Sequence, residues 1–259
     1  MSAARGAVGG RRGRSRPSLA LRTASVLGEL LLTVGVLLLL FVVWQLWWTD
    51  VIAGRGQDET VAQVREQFAP PSEPAPAAPE PEPGAPPSPS SAPPPEIEPV
   101  DPAEVFGIVH VPRWGEDYEV PVAEGVDVGA VFNQGNIGHY PDAAMPGQTG
   151  NFALAAHRQS YTAPFRDVEE LREGDPVIVE TAEGWFVYRV TEDYVVTPDR
   201  VDVVAPVPGE PGEEPTDSLL TMTTCHPLYS AAERWITHGE FEEWYPREGG
   251  EPTHLMEAD

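Results

Sequence analysis

The sequence predicts an all-β domain, a barrel or sandwich with short helices, carried behind one transmembrane helix. Two observations predict it. The run "SVLGELLLTVGVLLLLFVVWQLWW", residues 25–48, is apolar almost throughout. The second half is written in short runs rich in Val, Ile, Tyr, Phe and Thr, such as "VFGIVHVPRW", "YEVPVAEG", "NFALAAHR", "SLLTMTTC" and "RWITHGEF". Gly, Pro, Asn or Asp separates them, which is the texture of strands in small barrels and sandwiches.

The elements follow in order. Residues 1–25 form a basic tail, with six arginines and no acid in the first 22 positions. Val26 to Trp48 gives 23 residues in which Glu29 and Gln45 are the strongly polar ones. As a helix this stretch spans roughly 35 Å, enough for a bilayer core of about 30 Å. Trp44, Trp47 and Trp48 cluster at its C-terminal edge, where amphipathic rings favour the headgroup zone. The arginines lie N-terminal to it, so the positive-inside rule predicts a cytoplasmic N-terminus and an extracellular remainder. The competing reading is a cleaved signal peptide. The stretch is longer than an ordinary signal core, and Trp-Trp-Thr-Asp is a poor cleavage site.

Residues 49–69 form a juxtamembrane segment whose end, Glu59–Phe68, has a weak helical pattern. Residues 70–101 are a Pro-rich spacer, with fourteen of the 30 prolines between Pro70 and Pro99. Such a tract is expected to run extended and semi-rigid. Residues 102–246 form the strand-rich domain. In it, Ala182-Glu183-Gly184 reads as a hairpin turn, and Pro164–Gly174 is the best helix candidate, with Pro at its start and Gly at its end. Residues 198–217 form a long loop, and 247–259 an acidic tail.

Charge narrows the partners. The net charge is −25, and residues 101–259 carry 8 arginines against 31 acids, with no lysine anywhere. An acidic surface of this kind argues against nucleic acid. The acids around Glu169–Asp175 lack the ligand loop that calcium needs. One cysteine without a metal-spaced ligand pair makes a zinc site weak. No metal and no cofactor are expected.

The chemistry therefore centres on "SLLTMTTCHPLYSAAERW", which holds Cys225, the one cysteine of the chain. An odd cysteine outside the cell forms an intermolecular bridge, serves as a reactive thiol, or is simply buried. A reactive thiol needs a proton carrier, usually His, and a donor for the oxyanion. His254 sits in the polar tail, and His110 and His238 lie in strand-like runs. His226 follows Cys225 and points to the opposite strand face. His157 leads, because it ends the strand-like "NFALAAH" where the chain enters a loop. Arg234 lies in the next strand-like run after Cys225, and reads either as the cation of a site or as a surface ion-pair partner.

"Thr221-Met222-Thr223-Thr224-Cys225" resembles the Thr-Leu-x-Thr-Cys signature of sortases, the cysteine transpeptidases of Gram-positive cell surfaces. "His157-Arg158" after a small-apolar strand and Arg234 downstream resemble the family's histidine and arginine segments. "GHYPDAAMPGQTGNFALAAHR" and "TTCHPLYSAAERWITHGEF" are most similar to the actinobacterial class E branch. The resemblance covers residues 102–246. It departs at Met222, where Leu is usual, a swap of similar volume.

The resemblance implies a closed eight-stranded β-barrel. It implies that Cys225 is the nucleophile, that His157 is the general acid and base, and that Arg234 stabilises the substrate carbonyl and oxyanion. The implied partners are secreted proteins with a Leu-Ala-x-Thr-Gly sorting signal and an amine of the peptidoglycan precursor. Tyr140 and Tyr161 flank the His157 segment and are candidates to recognise Ala, Tyr140 being the better placed. Thr223 and Thr224 are expected to help line the groove, with Thr223 on the Cys225 face of the strand. The rival readings are a class D-like or substrate-dedicated sortase and, in a different class, a membrane-tethered binding module with an incidental thiol.

Overall fold

A computed structural model describes residues 19–68 and 87–256. The basic tail up to residue 18, residue 69 with residues 70–86 of the Pro-rich tract, the last three residues and the side chains of Trp47 and Trp48 lie outside that description. The chain divides into two units, residues 1–47 and 48–259. Within the first, Ser25–Trp44 is the described stretch long and apolar enough to cross a membrane. Its leucines and valines are exposed.

The second unit is a closed barrel of eight strands. They are β1 (Val105–His110), β2 (Glu119–Glu124), β3 (Ile137–His139), β4 (Gly150–Ala155), β5 (Pro176–Glu180), β6 (Gly184–Val196), β7 (Ser218–His226) and β8 (Glu233–Pro246). Around the barrel the order is β1-β2-β3-β4-β7-β8-β6-β5, and β5 returns to β1. The pairs β2–β3 and β4–β7 are parallel, and the others are antiparallel. Closure removes the free edges that would invite pairing with other chains. Val109, Val122, Phe152, Leu154, Phe186, Tyr188 and Leu220 fill the interior. Met222, at the position where the family signature has Leu, is fully buried among them.

Three local expectations meet different outcomes. The hairpin turn between β5 and β6 bends at Ala182 and Glu183, within the expected three residues, with Gly184 already in β6 and Thr181 N–H donating to Gly184 O at 2.8 Å. Gly184 opens the strand at φ 153°, and a Cβ there would sit 2.0 Å from Tyr245 O, so glycine is required for close approach. The helix candidate at Pro164–Gly174 is a single 3-10 turn, Val168–Glu170, which Leu171 ends with an extended backbone. Phe165, Val168 and Leu171 are all buried in the barrel core, so packing overrides the local helix signals. The long 198–217 loop carries one 3-10 turn, Val201–Val204.

The juxtamembrane pattern is the end of a helix, α1 (Leu19–Phe68). Val61, Val64 and Phe68 share a face at helical spacing and pack on Ile108 and Val105 of β1. Arg65 pairs with Glu119 through two bonds of 2.9 and 2.7 Å, and reaches the buried Glu180 at 3.3 Å. Burial alone would raise the Glu180 pKa, but the His110 hydrogen bond and the charges of Arg65 and Arg247 hold it below the usual carboxylate value. The last part of the Pro-rich tract, residues 87–101, lies along the barrel instead of extending as a spacer. Ser90 N–H donates to Trp244 O, Trp244 Nε1–H donates to Ala92 O, and Ile97 is buried in the main core. Two hydrogen bonds to Trp244, one accepted by its carbonyl and one donated by its indole, and one apolar anchor capture a segment whose prolines have little backbone entropy to lose.

Candidate active site

Strand register brings the predicted residues to one end of three neighbouring strands. The parallel β4–β7 pair ends at Ala155↔Thr223, so the chain leaving β4 reaches His157 beside the end of β7, where Cys225 lies. Ala156 N–H donates to Thr223 O at 3.3 Å, and Thr224 Oγ1 donates to Ala156 O at 2.8 Å. These bonds clamp the residue before His157 to the residue before Cys225. The antiparallel β8 then sets Arg234 directly across from Cys225. Cys225 is a free, partly exposed thiol.

Arg234 is held through one end of its guanidinium. Nη1 donates to Ala231 O at 3.0 Å and to Glu233 O at 2.8 Å. Among the described residues no carboxylate pairs with it, which weighs against the surface ion-pair reading. A planar cation fixed by backbone carbonyls keeps its other donors available.

His157 is packed rather than free. Its Nε2–H donates to Asn133 Oδ1 at 3.2 Å, which leaves Nδ1 with the lone pair. The ring lies 5.6 Å from Tyr161 in a near-parallel stack and 5.5 Å from Phe132. Burial lowers its pKa below the ordinary imidazole value, so the neutral form dominates at neutral pH. The stack depends on an uncommon turn in which Ser160, Tyr161, Thr162 and Ala163 all have positive φ, between 47° and 112°. Each such non-glycine residue costs about 1–3 kcal/mol, and strain of this kind gathers at functional sites.

Tyr140 and the two threonines have distinct placements. Thr223 donates to Leu154 O at 3.2 Å, and the Tyr140 hydroxyl meets Thr223 Oγ1 at 3.0 Å. Tyr140 also lines a cavity of about 560 Å³ with Val204 and Pro206 from the β6–β7 connection. Thr223 and Thr224 are both buried. The Thr224 hydroxyl is bonded to the Ala156 carbonyl, so it supports the end of β4 and offers no free group to a groove.

Sequence reasoning missed Arg158. It is 2 % exposed, yet its Nη1 donates to Cys225 O at 3.3 Å and to His226 Nδ1 at 2.8 Å. Nη2 pairs with Glu169 at 2.7 Å, and the guanidinium lies 5.9 Å from the Trp235 ring centre. One side chain thus ties the His157 loop, the Cys225 strand and the 3-10 turn together. The available signal was a cation adjacent to the leading histidine with acids downstream. His110, His238 and His254 are engaged elsewhere, with Glu180, Thr221 and Tyr245.

A model of the sortase domain family matches residues 109–242. The chain is 34% identical over 253 residues to Sortase SrtE1 of Streptomyces coelicolor, covering 95% of this chain and 65% of that protein. The match therefore spans just under two thirds of that relative's length. It is 35% identical over 241 residues to Sortase SrtE2 of the same organism, covering 89% of this chain and 87% of that one. The crystal structure of Sortase E1 from Streptomyces coelicolor, solved with a tripeptide in its active site, matches with a TM-score of 0.54 and 37% identity, over 58% of this chain and 96% of that chain.

Proposed function

The chain belongs to the sortase family of cysteine transpeptidases, and we propose that it is a membrane-anchored class E enzyme with Cys225, His157 and Arg234 as its catalytic residues. It cleaves the Thr–Gly bond of a Leu-Ala-x-Thr-Gly sorting signal and joins the new Thr carboxyl to a peptidoglycan amine. Ser25–Trp44 anchors it in the membrane, with the basic tail in the cytoplasm and the barrel outside.

The observation that carries this reading is the strand register, with Cys225 opposite Arg234 and the β4 end carrying His157 clamped alongside. In the first step the Cys225 thiolate attacks the Thr carbonyl carbon, and a C–S bond forms. The oxyanion develops against the Arg234 guanidinium, where a fixed cation stabilises charge without reorganising. His157, protonated as the thiolate forms, gives its proton to the departing Gly nitrogen as the C–N bond breaks. In the second step His157 takes a proton from the incoming amine, which attacks the thioester and returns Cys225. The low imidazole pKa suits a group that must gain and lose one proton per turnover. The cavity beside Tyr140 receives the signal residues that precede Thr, and the Tyr140 ring is suited to a small side chain such as Ala.

The test is incubation of the full chain in detergent with Leu-Ala-x-Thr-Gly and Leu-Pro-x-Thr-Gly peptides and an oligoglycine amine. Mass spectrometry should show Thr-to-amine products, with the Ala peptide preferred, and none from Cys225→Ala. Absence of product from folded wild-type protein would refute the reading.

A further inference from the structure

Behind the cavity lies a chain of buried polar side chains that the reaction does not use. Asn151, 1 % exposed, sits on β4 and donates through Nδ2 to Ala205 O at 2.9 Å and to Val203 O at 3.4 Å. Those carbonyls fix the orientation of its amide, so Oδ1 must accept. Thr221 on β7, fully buried, lies 2.8 Å from that oxygen and 3.4 Å from Val203 O, so its one proton goes to the nearer Asn151 oxygen. The Thr221 oxygen can then only accept from His238 Nδ1, 2.9 Å away on β8. His238 is in turn a neutral ring whose Nε2 accepts from the Tyr194 hydroxyl at 2.7 Å. Hydrogen-bond direction is dictated from one end to the other, from Tyr194 through His238, Thr221 and Asn151 to the two loop carbonyls. Burial also lowers the His238 pKa, against the opposing charge of Glu192, in keeping with a neutral ring.

The far end of this chain is functional in its position. The two anchored carbonyls belong to Val203 and Ala205, and Val204 between them lines the cavity together with Pro206. The barrel strands also reach the 197–217 connection through Thr221 Oγ1, 3.4 Å from Val203 O, and through Gly150 N–H donating to Asp217 O at its far end, and the shortest side-chain bond to its cavity wall is the one from the Asn151 amide to Ala205 O. We propose that Asn151, supported by Thr221, His238 and Tyr194, is a positioning residue for peptide binding, holding the β6–β7 connection at the distance from Tyr140 that fits the sorting signal. This rests on the reading that the cavity receives that peptide. His238, which the sequence presents as an ordinary strand residue, is the relay that keeps Thr221 pointed at Asn151.

The experiment compares wild-type full chain in detergent with Asn151→Leu and Tyr194→Phe. Hydrogen exchange is measured over residues 197–217, and steady-state kinetics are measured on the Leu-Ala-x-Thr-Gly peptide. Losing two hydrogen bonds to the loop should speed exchange there about tenfold in Asn151→Leu. Strands β4 and β7 should keep their protection. KM should rise about fivefold or more with kcat within about twofold, because uniform binding is lost and not transition-state stabilisation. Tyr194→Phe, which keeps every ring and backbone in place, should move both readouts the same way by about twofold. Unchanged loop exchange, or a fall in kcat at constant KM, in Tyr194→Phe and in any folded Asn151→Leu protein would overturn the proposal. A wild-type protein that cleaves no peptide would instead overturn the functional reading beneath it, and with it the peptide-positioning role.

Discussion

The residues proposed as reactive each carry a sequence signal, and their supporting contacts do not. Cys225 stands out by count, His157 by its place at a strand end, and Arg234 by its distance along the next run. Each role depends on contacts that sequence spacing does not reveal. Asn133 orients His157 from 24 residues upstream, and Arg158 reaches Cys225 and His226 from 67 and 68 residues away. Thr224 was expected in the groove, and its hydroxyl holds the β4 end instead. The residue most open to a geometric test is Arg234. Its guanidinium is tethered at Nη1 by two carbonyls, and Lys has no planar fork to hold that tether while donating elsewhere. Arg234→Lys should therefore lower kcat about a hundredfold, the cost of losing an oxyanion donor. Peptide turnover and Tm measured side by side would check this, with Tm unchanged within error.

At the scale of elements, strands were read well because alternation and turn residues are local signals. The short β3 and the two parallel pairings were not, since they depend on partners distant in sequence. The helix expected at Pro164–Gly174 failed because three of its apolar residues are needed in the core at a spacing one 3-10 turn provides. The Pro-rich tract was read as spacer throughout because composition cannot show that Trp244 and the core capture its final residues. Ile97 is the apolar anchor of that segment, and the Gln148 side chain donates to its carbonyl at 2.8 Å. Ile97→Ala should destabilise the barrel by about 2–4 kcal/mol, read as a Tm loss of roughly 5–15 °C. A Tm unchanged by the substitution would show that the segment is not packed as described.

For the whole molecule, charge and burial set the response to pH. His157 and His238 have pKa values below the ordinary imidazole value. On acidification the unfolded chain therefore binds protons first, and stability falls as pH drops below about 6.5. Glu180 and Asp175 have lowered carboxylate pKa values, so a second loss follows as pH falls below about 4.5. A scan of Tm against pH should show both steps, and His238→Asn should shrink the first. A Tm constant from pH 7.5 to 5 would contradict this.

The barrel exists, in this account, to hold one thiol, one imidazole and one guanidinium at the ends of β7, β4 and β8. The most direct measurement is the intact mass of the full chain after mixing with a Leu-Ala-x-Thr-Gly peptide and no amine. An acyl adduct ending in Thr should form on Cys225, disappear when oligoglycine is added, form far more slowly in His157→Ala, and never form in Cys225→Ala. Turnover of the peptide without such an adduct, or an adduct that forms equally well in His157→Ala, would contradict it.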